Sequence, residues 1–369
     1  MRKLRVAEIY AGIARTWEPF RHWRRCELGL LVDLDPLARD TYLDNFPAAN
    51  YWRRDLTWTR PSELEAKAGG KIDILLGCPP CQGFSDTGKR DPDDPRNAHV
   101  GIFSRFACGL KPKAVVMENV PLLAGSARYR RFTRQLEKAG YRWTSAVINA
   151  ALFGSCQTRQ RLLLVAIHKD AGPKPELPTS THGGTRLYFG YQTRKLVPLE
   201  ENATELLGIT PAAQQLQAHI PVPRTTGRIP IPNVQESLDG LPAIGSPDGI
   251  ALTHTVWQTS KSMTARMSRV NEGGRWRGGE DHYSHAYGRL HRRGLARTIT
   301  TYFANPGSGR FWHPTDDRPL SVREAARIQG IDDDFLFQGP LSRAARLVGN
   351  ALDAAIARVG YLAVRQSLE

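Results

Sequence analysis

Cysteine is scarce and unevenly placed: five in 369 residues, at positions 26, 78, 81, 108 and 156. An odd, scattered set is not a disulfide framework and points to a reducing compartment. Only Cys78 and Cys81 have the C-x-x-C spacing. A structural zinc needs about four ligands, so no metal site is expected. A dithiol redox pair needs its motif to open a helix directly, and Gly83, two residues on, argues for continued loop. Long apolar runs are also missing: none has the ~20 residues of a membrane span. The N-terminal MRKLRVAEIYAG is basic but has neither the apolar centre nor the cleavage pattern of a secretory signal. There is no internal repeat and no low-complexity tract. Acid is short as well, 36 Asp and Glu against 51 Lys and Arg, for a net charge of +15. Such an excess fits either a solvated basic surface or a polyanionic partner, of which nucleic acid is the commonest.

The stretch around which the chain is organised is residues 72 to 85, IDILLGCPPCQGFS. The run from Ile72 to Leu76 has the length of a buried strand. The Pro-Pro step ends it and forces a stiff, extended exit. Cys81 is therefore expected on a rigid loop at the carboxyl end of a central strand, where open α/β sheets bind ligands. Locally, three readings stand: two packed cysteines, a thiol pair, or a nucleophilic thiolate at Cys81.

Leu4 to Tyr10 reads as a strand followed by a turn at Gly12, and Phe20 to Arg25 as part of the next helix. A second apolar run, Leu28 to Val32, ends at Asp33-Leu34-Asp35. An acidic residue ~20 positions after the first glycine turn suits a ribose-binding carboxylate, although the turn is not G-x-G-x-x-G. Asp55 follows another turn, and a helix is expected from Pro61 to Ala68. Asp91 to Asn97 reads as a polar loop. Ala114 to Met117, Trp143 to Ala150 and Leu162 to Ile167 complete the strands. Strands alternating with helices imply a mostly parallel, doubly wound α/β sheet. Gly12, the Asp33–Asp35 turn, Cys81 and Glu118 then converge on one edge.

After Lys169 the character changes. To about His285 the chain is rich in Pro, Gly and Thr, and reads as a second, smaller, loop-rich domain. Nine Lys or Arg against three Asp or Glu lie between Trp257 and Arg297, with Trp276, Tyr283 and Tyr287 interleaved. This mixture suits phosphate contacts and base stacking, and equally an irregular solvated surface. Regular structure returns with Ser321 and Glu324, which form a capping box, and Gly330, a helix stop. Ala344 to Leu368 is an alanine-rich helical segment broken near Gly349-Asn350.

Taken in order, the YAG turn, the acidic end at 33–35, PPCQGFS, ENV at 118–120, QTRQR at 157–161, RPLSVREAARIQG and GNA at 349–351 resemble the cytosine-C5 DNA methyltransferases. YGRL at 287–290 and RTIT at 297–300 match as well. The resemblance spans nearly all of the chain outside the middle domain. It implies a Rossmann-like S-adenosylmethionine-dependent catalytic domain (1–170), a target-recognition domain (171–285) and a return segment (286–369). It makes Cys81 the nucleophile, with Glu118, Arg159 and Arg161 serving the flipped base. Tyr10, Ala11, Gly12, Asp33, Leu34, Asp55 and Asn350 would hold S-adenosylmethionine. Gln82, Ser85, Asn119, Gln157, Arg275 and Arg277 would contact the substrate. Double-stranded DNA is the expected partner of a monomeric, cytoplasmic, nucleoid-associated enzyme, with a cognate restriction nuclease as a companion.

Ala14, Arg15 and Asp353 depart from the family, which usually has glycines in the first turn and GNAVP where this chain has GNALD. A side chain at position 14 narrows the backbone approach to the cofactor, and Arg15 adds charge. The expectation is that the turn keeps its path with both side chains pointing away. Two alternatives remain open at this point: cytosine-C5 methylation of tRNA-like RNA, and non-catalytic DNA binding with a degenerate cofactor site.

Overall fold

The computed structural model describes residues 2–80, 98–184, 186–199, 201–207, 229–251, 253–276 and 286–369. Cys81, Gln82, Ser85, Arg277, Tyr283 and the 91–97 loop lie outside the described residues. Seven strands, β1 Leu4–Ile9, β2 Cys26–Asp33, β3 Tyr51–Arg53, β4 Ile74–Gly77, β5 Ala114–Asn119, β6 Tyr141–Asn149 and β7 Gln160–His168, form one sheet in the order β3-β2-β1-β4-β5-β7-β6. The first five are parallel, and β7 runs antiparallel between β5 and β6. Only residues 150–159, which open with the 3-10 turn Ala150–Phe153, lie between β6 and β7. That link is too short for the crossover a parallel pair requires, so β7 returns antiparallel.

Both faces of the sheet are covered, so its strands read as apolar runs rather than as a strict polar alternation. Side chains still alternate between two cores. Val6, Leu31, Ile74, Leu76, Val116 and Leu163 pack with Phe20, Trp23 and the helix Ala354–Leu368. Ala7, Ile9, Val32, Leu75, Val115 and Met117 point the other way. There they meet α4 (His99–Leu110) and α5 (Ala127–Lys138), which follow the shorter helices α1 (Glu18–Arg21), α2 (Pro36–Asn45) and α3 (Pro61–Lys67). The first helix is a single turn opening at Glu18, earlier than the expected Phe20–Arg25, because the chain must already turn into β2 at Cys26. The strand order reverses between β1 and β4, which opens a crevice at the carboxyl edge.

The capping box is present: Ser321 Oγ accepts from Glu324 N–H at 3.0 Å, and the Glu324 carboxylate accepts from Ser321 N–H at 2.8 Å. Gly330 ends that turn with φ +69°. The segment Leu341–Leu368 is long and apolar enough by composition to cross a membrane, but it forms two helices, Leu341–Asn350 and Ala354–Leu368. Of its most apolar window, 67% is buried inside the protein. Among the described residues of the middle region, strands are only two or three residues long. A small core of Tyr188, Leu199, Leu206 and Ile231 seats them on Ala151 and Leu152. Arg266 lies 5.7 Å from the Trp276 ring and 5.8 Å from the Tyr287 ring. Both aromatics are therefore engaged within the protein by cation–π contact.

Candidate active site

The first turn is built by three left-handed residues, Tyr10, Gly12 and Ala14, with φ of 57°, 53° and 57°. It crosses the carboxyl ends of β1 and β2, with Ala11 N–H on Val32 O at 3.0 Å. Gly12 N–H donates to Asp33 Oδ2 at 2.8 Å, and Asp35 N–H donates to Asp33 Oδ1 at 2.9 Å. Burial pushes the Asp33 carboxyl up against these stabilising bonds. Tyr51 donates its hydroxyl to Gly12 O at 2.7 Å, which fixes the turn from behind. A side chain at Gly12 would meet nothing within 4 Å, so its Cα faces open space. Beside it Leu34 is 57% exposed, a large apolar side chain held at the crevice. Asp55 is exposed at the end of β3, and the N–H of Thr57, 2.8 Å away, holds its carboxyl below the ordinary value. An apolar surface, a half-buried carboxylate with further acceptor capacity and a second carboxylate nearby form a donor set that fits a nucleoside.

Ala14 and Arg15 turn out of this crevice. Ala14 is 1% exposed within the main core. Arg15 is 6% exposed and donates from Nη2 to Gly330 O at 2.6 Å. The two departures thus join the first turn to the C-terminal segment.

Beyond β4, Cys78 is half-buried, and its Sγ lies 3.5 Å from Thr16 Oγ1. Burial, and next the carboxylates of Glu118 and Glu8, push its thiol up, so it stays protonated. Asn119, at the end of β5, donates from Nδ2 to Pro79 O at 2.9 Å, tying the Pro-Pro exit to the neighbouring strand. Glu118 is 8% exposed and receives Arg161 Nε at 2.9 Å. Those two face each other because β5 and β7 are adjacent and antiparallel. Arg159 is fully inside; its guanidinium donates to Ile299 O at 3.1 Å and reaches Gly349 O at 3.5 Å. Gly349 passes so near the Thr300–Thr301 peptide that an added Cβ would collide with it, so only glycine fits. Gln157 is buried beside Arg159, whereas Asn350 is exposed at the end of its helix. Arg275 bridges to Gly288, remote in sequence from this cluster.

Two side chains of this region escape sequence reasoning. Glu8, inside β1, accepts from Trp17 N–H at 2.8 Å and Thr16 N–H at 3.3 Å, and burial pushes its carboxyl up to about 8. A lone acid in an apolar strand was its only signal. Asp353 is 1% exposed and anchors the QTRQR stretch through Gln157 at 2.7 Å. In the sequence it stood out only as a departure from GNAVP, which gave no sign of that role.

The family model described as C-5 cytosine-specific DNA methylase matches residues 4–359. The chain belongs to this family. The enzyme is a DNA (cytosine-5-)-methyltransferase. It is similar to the Type II methyltransferase M1.HphI of Haemophilus parahaemolyticus, with 29% identity over 89% of this chain and 78% of that one. With the Type II methyltransferase M.XorII of Xanthomonas oryzae it shares 30% identity over 90% of this chain and 78% of that one. Its fold is shared with the Dnmt2 methyltransferase of S. pombe at a TM-score of 0.64, 14% identity and 98% coverage of both chains. The family accounts for the sheet order, and use of S-adenosylmethionine is general to it.

Proposed function

We propose that this methyltransferase acts on cytosine flipped out of duplex DNA, through a covalent bond between Cys81 and C6 of the base. The observation that carries this reading is the Glu118–Arg161 pair, buried at Glu118 and half-buried at Arg161, at the carboxyl end of β5 next to the Cys78-Pro79-Pro80 exit from β4. C5 of cytosine is a poor nucleophile until a thiolate adds at C6 and turns the ring into an enamine. The electron density this places on N3 and O2 requires a donor set, which Glu118 and Arg161 supply. Arg161 also favours the thiolate form of a neighbouring cysteine. A base stacked in a duplex is out of reach, so it must leave the helix.

Asp33, Leu34 and Asp55 would bind the ribose hydroxyls, the adenine face and the adenine amine of S-adenosylmethionine, with Tyr10, Ala11, Gly12 and Asn350 around them. When bound, that cofactor supplies an electrophilic methyl sulfonium. Gln82, Ser85, Asn119, Gln157, Arg275 and Arg277 would serve the substrate, and Arg159 would brace Arg161 from within. Residues 1–170 and 286–369 would form the catalytic unit and 171–285 the part that selects the DNA sequence. The Type II names of the relatives suggest a companion restriction nuclease.

The test is adduct formation. With S-adenosylmethionine present, the protein should form a denaturant-stable complex with 5-fluorocytosine-substituted duplex DNA, because fluorine at C5 blocks the step that releases the cysteine. Without the cofactor it should form none. An adduct with substituted RNA alone would move the reading to RNA, and no adduct with either would remove the covalent mechanism.

The altered first turn makes a second expectation measurable. Since Ala14 and Arg15 point into the core, the double variant Ala14→Gly, Arg15→Gly should change S-adenosylmethionine affinity less than about tenfold, or ~1.4 kcal/mol. Stability should fall by ~1–3 kcal/mol, because the Gly330 carbonyl loses its donor. Calorimetric titration and thermal melts read the two effects. A large gain in affinity would mean that these side chains obstruct the cofactor.

A further inference from the structure

Asp353 stands where the family usually has proline, and its buried carboxylate has three partners. Oδ1 accepts from Ala355 N–H at 2.8 Å, which caps the last helix. Oδ2 accepts from Ser155 Oγ at 2.7 Å and from Gln157 Nε2 at 2.7 Å. Gln157 in turn accepts, through Oε1, from Ile299 N–H at 3.1 Å, and the Ile299 carbonyl accepts from Arg159 Nη1 at 3.1 Å. One continuous set of contacts therefore runs from Asp353 through Gln157 and Ile299 to Arg159.

A helix cap does not require a buried charge. Ser or Asn caps about as well as Asp, and a carboxylate withdrawn from water is costly unless its charge is matched. Burial pushes the Asp353 carboxyl up; the hydrogen bonds from Ser155, Ala355 and Gln157 oppose that, and the Arg159 charge adds to them. Among the described residues the Arg159 Nε has no hydrogen-bond partner, and the like charge of Arg161 lies close by. Burial, then Arg161, press its ionisation down to about 9, while Glu118 and Asp353 oppose that. Glu118 is already engaged by Arg161, so Arg159 is held on the inner side through the Gln157–Ile299 contacts that Asp353 fixes.

We propose that Asp353 is a positioning residue for methyl transfer, fixing Gln157 and, through Ile299, holding Arg159 in place so that Arg161 is presented to Glu118. This rests on reading Glu118 and Arg161 as the pair that meets the base. Asp353 itself touches neither base nor cofactor; it acts through Arg159.

A double-mutant cycle tests it. Single-turnover methyl incorporation into unmethylated phage DNA is measured for the wild-type chain, Asp353→Asn, Arg159→Lys and the double variant. Asp353→Asn should lower the rate ~30-fold beside Arg159 but less than ~3-fold beside the more compact, differently placed Lys, a coupling in the range found for residues of one network. S-adenosylmethionine affinity, measured by calorimetry, should stay within about threefold, since the first turn is not part of the network. If Asp353→Asn does not fold, Asp353→Ser keeps the cap and enters the same cycle. Equal losses in both backgrounds, or a parallel loss of cofactor binding, would reduce Asp353 to a structural cap. No incorporation by the wild-type chain would overturn the underlying reading, and this role of Asp353 with it.

Discussion

Cys81→Ser is expected to lower methyl transfer by at least ~10³-fold, in line with the loss of a covalent nucleophile in other enzymes, and to abolish the fluorocytosine adduct. Cys78→Ser should cost less than about tenfold. The two residues are three positions apart in one motif, yet the chemistry asked of them is opposite. A nucleophile needs its thiolate, and hence a cationic neighbour and access to the base. Cys78 has the reverse surroundings: it is half-buried against Thr16, and burial together with Glu118 and Glu8 keeps its proton on. Serine at position 78 retains a hydrogen-bonding group toward Thr16 and loses only a little packing volume. Serine at position 81 exchanges a thiol for a far less acidic and less nucleophilic hydroxyl. Incorporation assays on both variants, with melting curves to show that each is folded, decide the assignment. Equal losses, or the larger loss at Cys78, would show that the nucleophile has been misassigned.

What could be read in advance was what is local and covalent. The apolar runs ending in Gly12, Asp33 and Glu118 announced parallel strands whose ends share an edge, because a short apolar run closed by a turn has the length and punctuation of a buried strand. The capping box at Ser321 and the stop at Gly330 were legible for a related reason: each satisfies backbone groups within a few residues. β3 was not, since three residues carry no period, and the reversed direction of β7 depends on the short link at residues 150–159. At the site, the pairing of Glu118 with Arg161 followed only once β5 and β7 were neighbours. Long-range contacts were the hidden part. Arg15 reaches Gly330 across 315 positions, and Asp353 meets Gln157 across 196. In the sequence both residues look like flaws in a motif. In the fold they join the first turn and the QTRQR stretch to the same C-terminal segment.

Glu118→Gln is the other change with a large expected effect, and it separates chemistry from binding. Glutamine keeps the length and planarity of the side chain and can still accept from Arg161 Nε, now 2.9 Å from the carboxylate. Arg161 is not stripped of partners, because it also donates to Gln160 O at 2.7 Å, so the strand pair should keep its geometry. What is lost is the ability to hold and deliver a proton at N3 as negative charge develops on the ring. General acid–base assistance of this kind contributes ~10²–10⁴-fold, and the single-turnover rate should fall by about that amount. Affinity for DNA should change far less, since it depends chiefly on the many phosphate contacts of a basic surface. The fluorocytosine adduct should form slowly rather than vanish, because Cys81 remains present and only the stabilisation of its product is weakened. Rapid-quench incorporation, paired with a binding titration on the same duplex, measures both quantities. A variant that turned over at nearly the normal rate would take Glu118 out of the mechanism and leave Arg161 alone to meet the charge on the base.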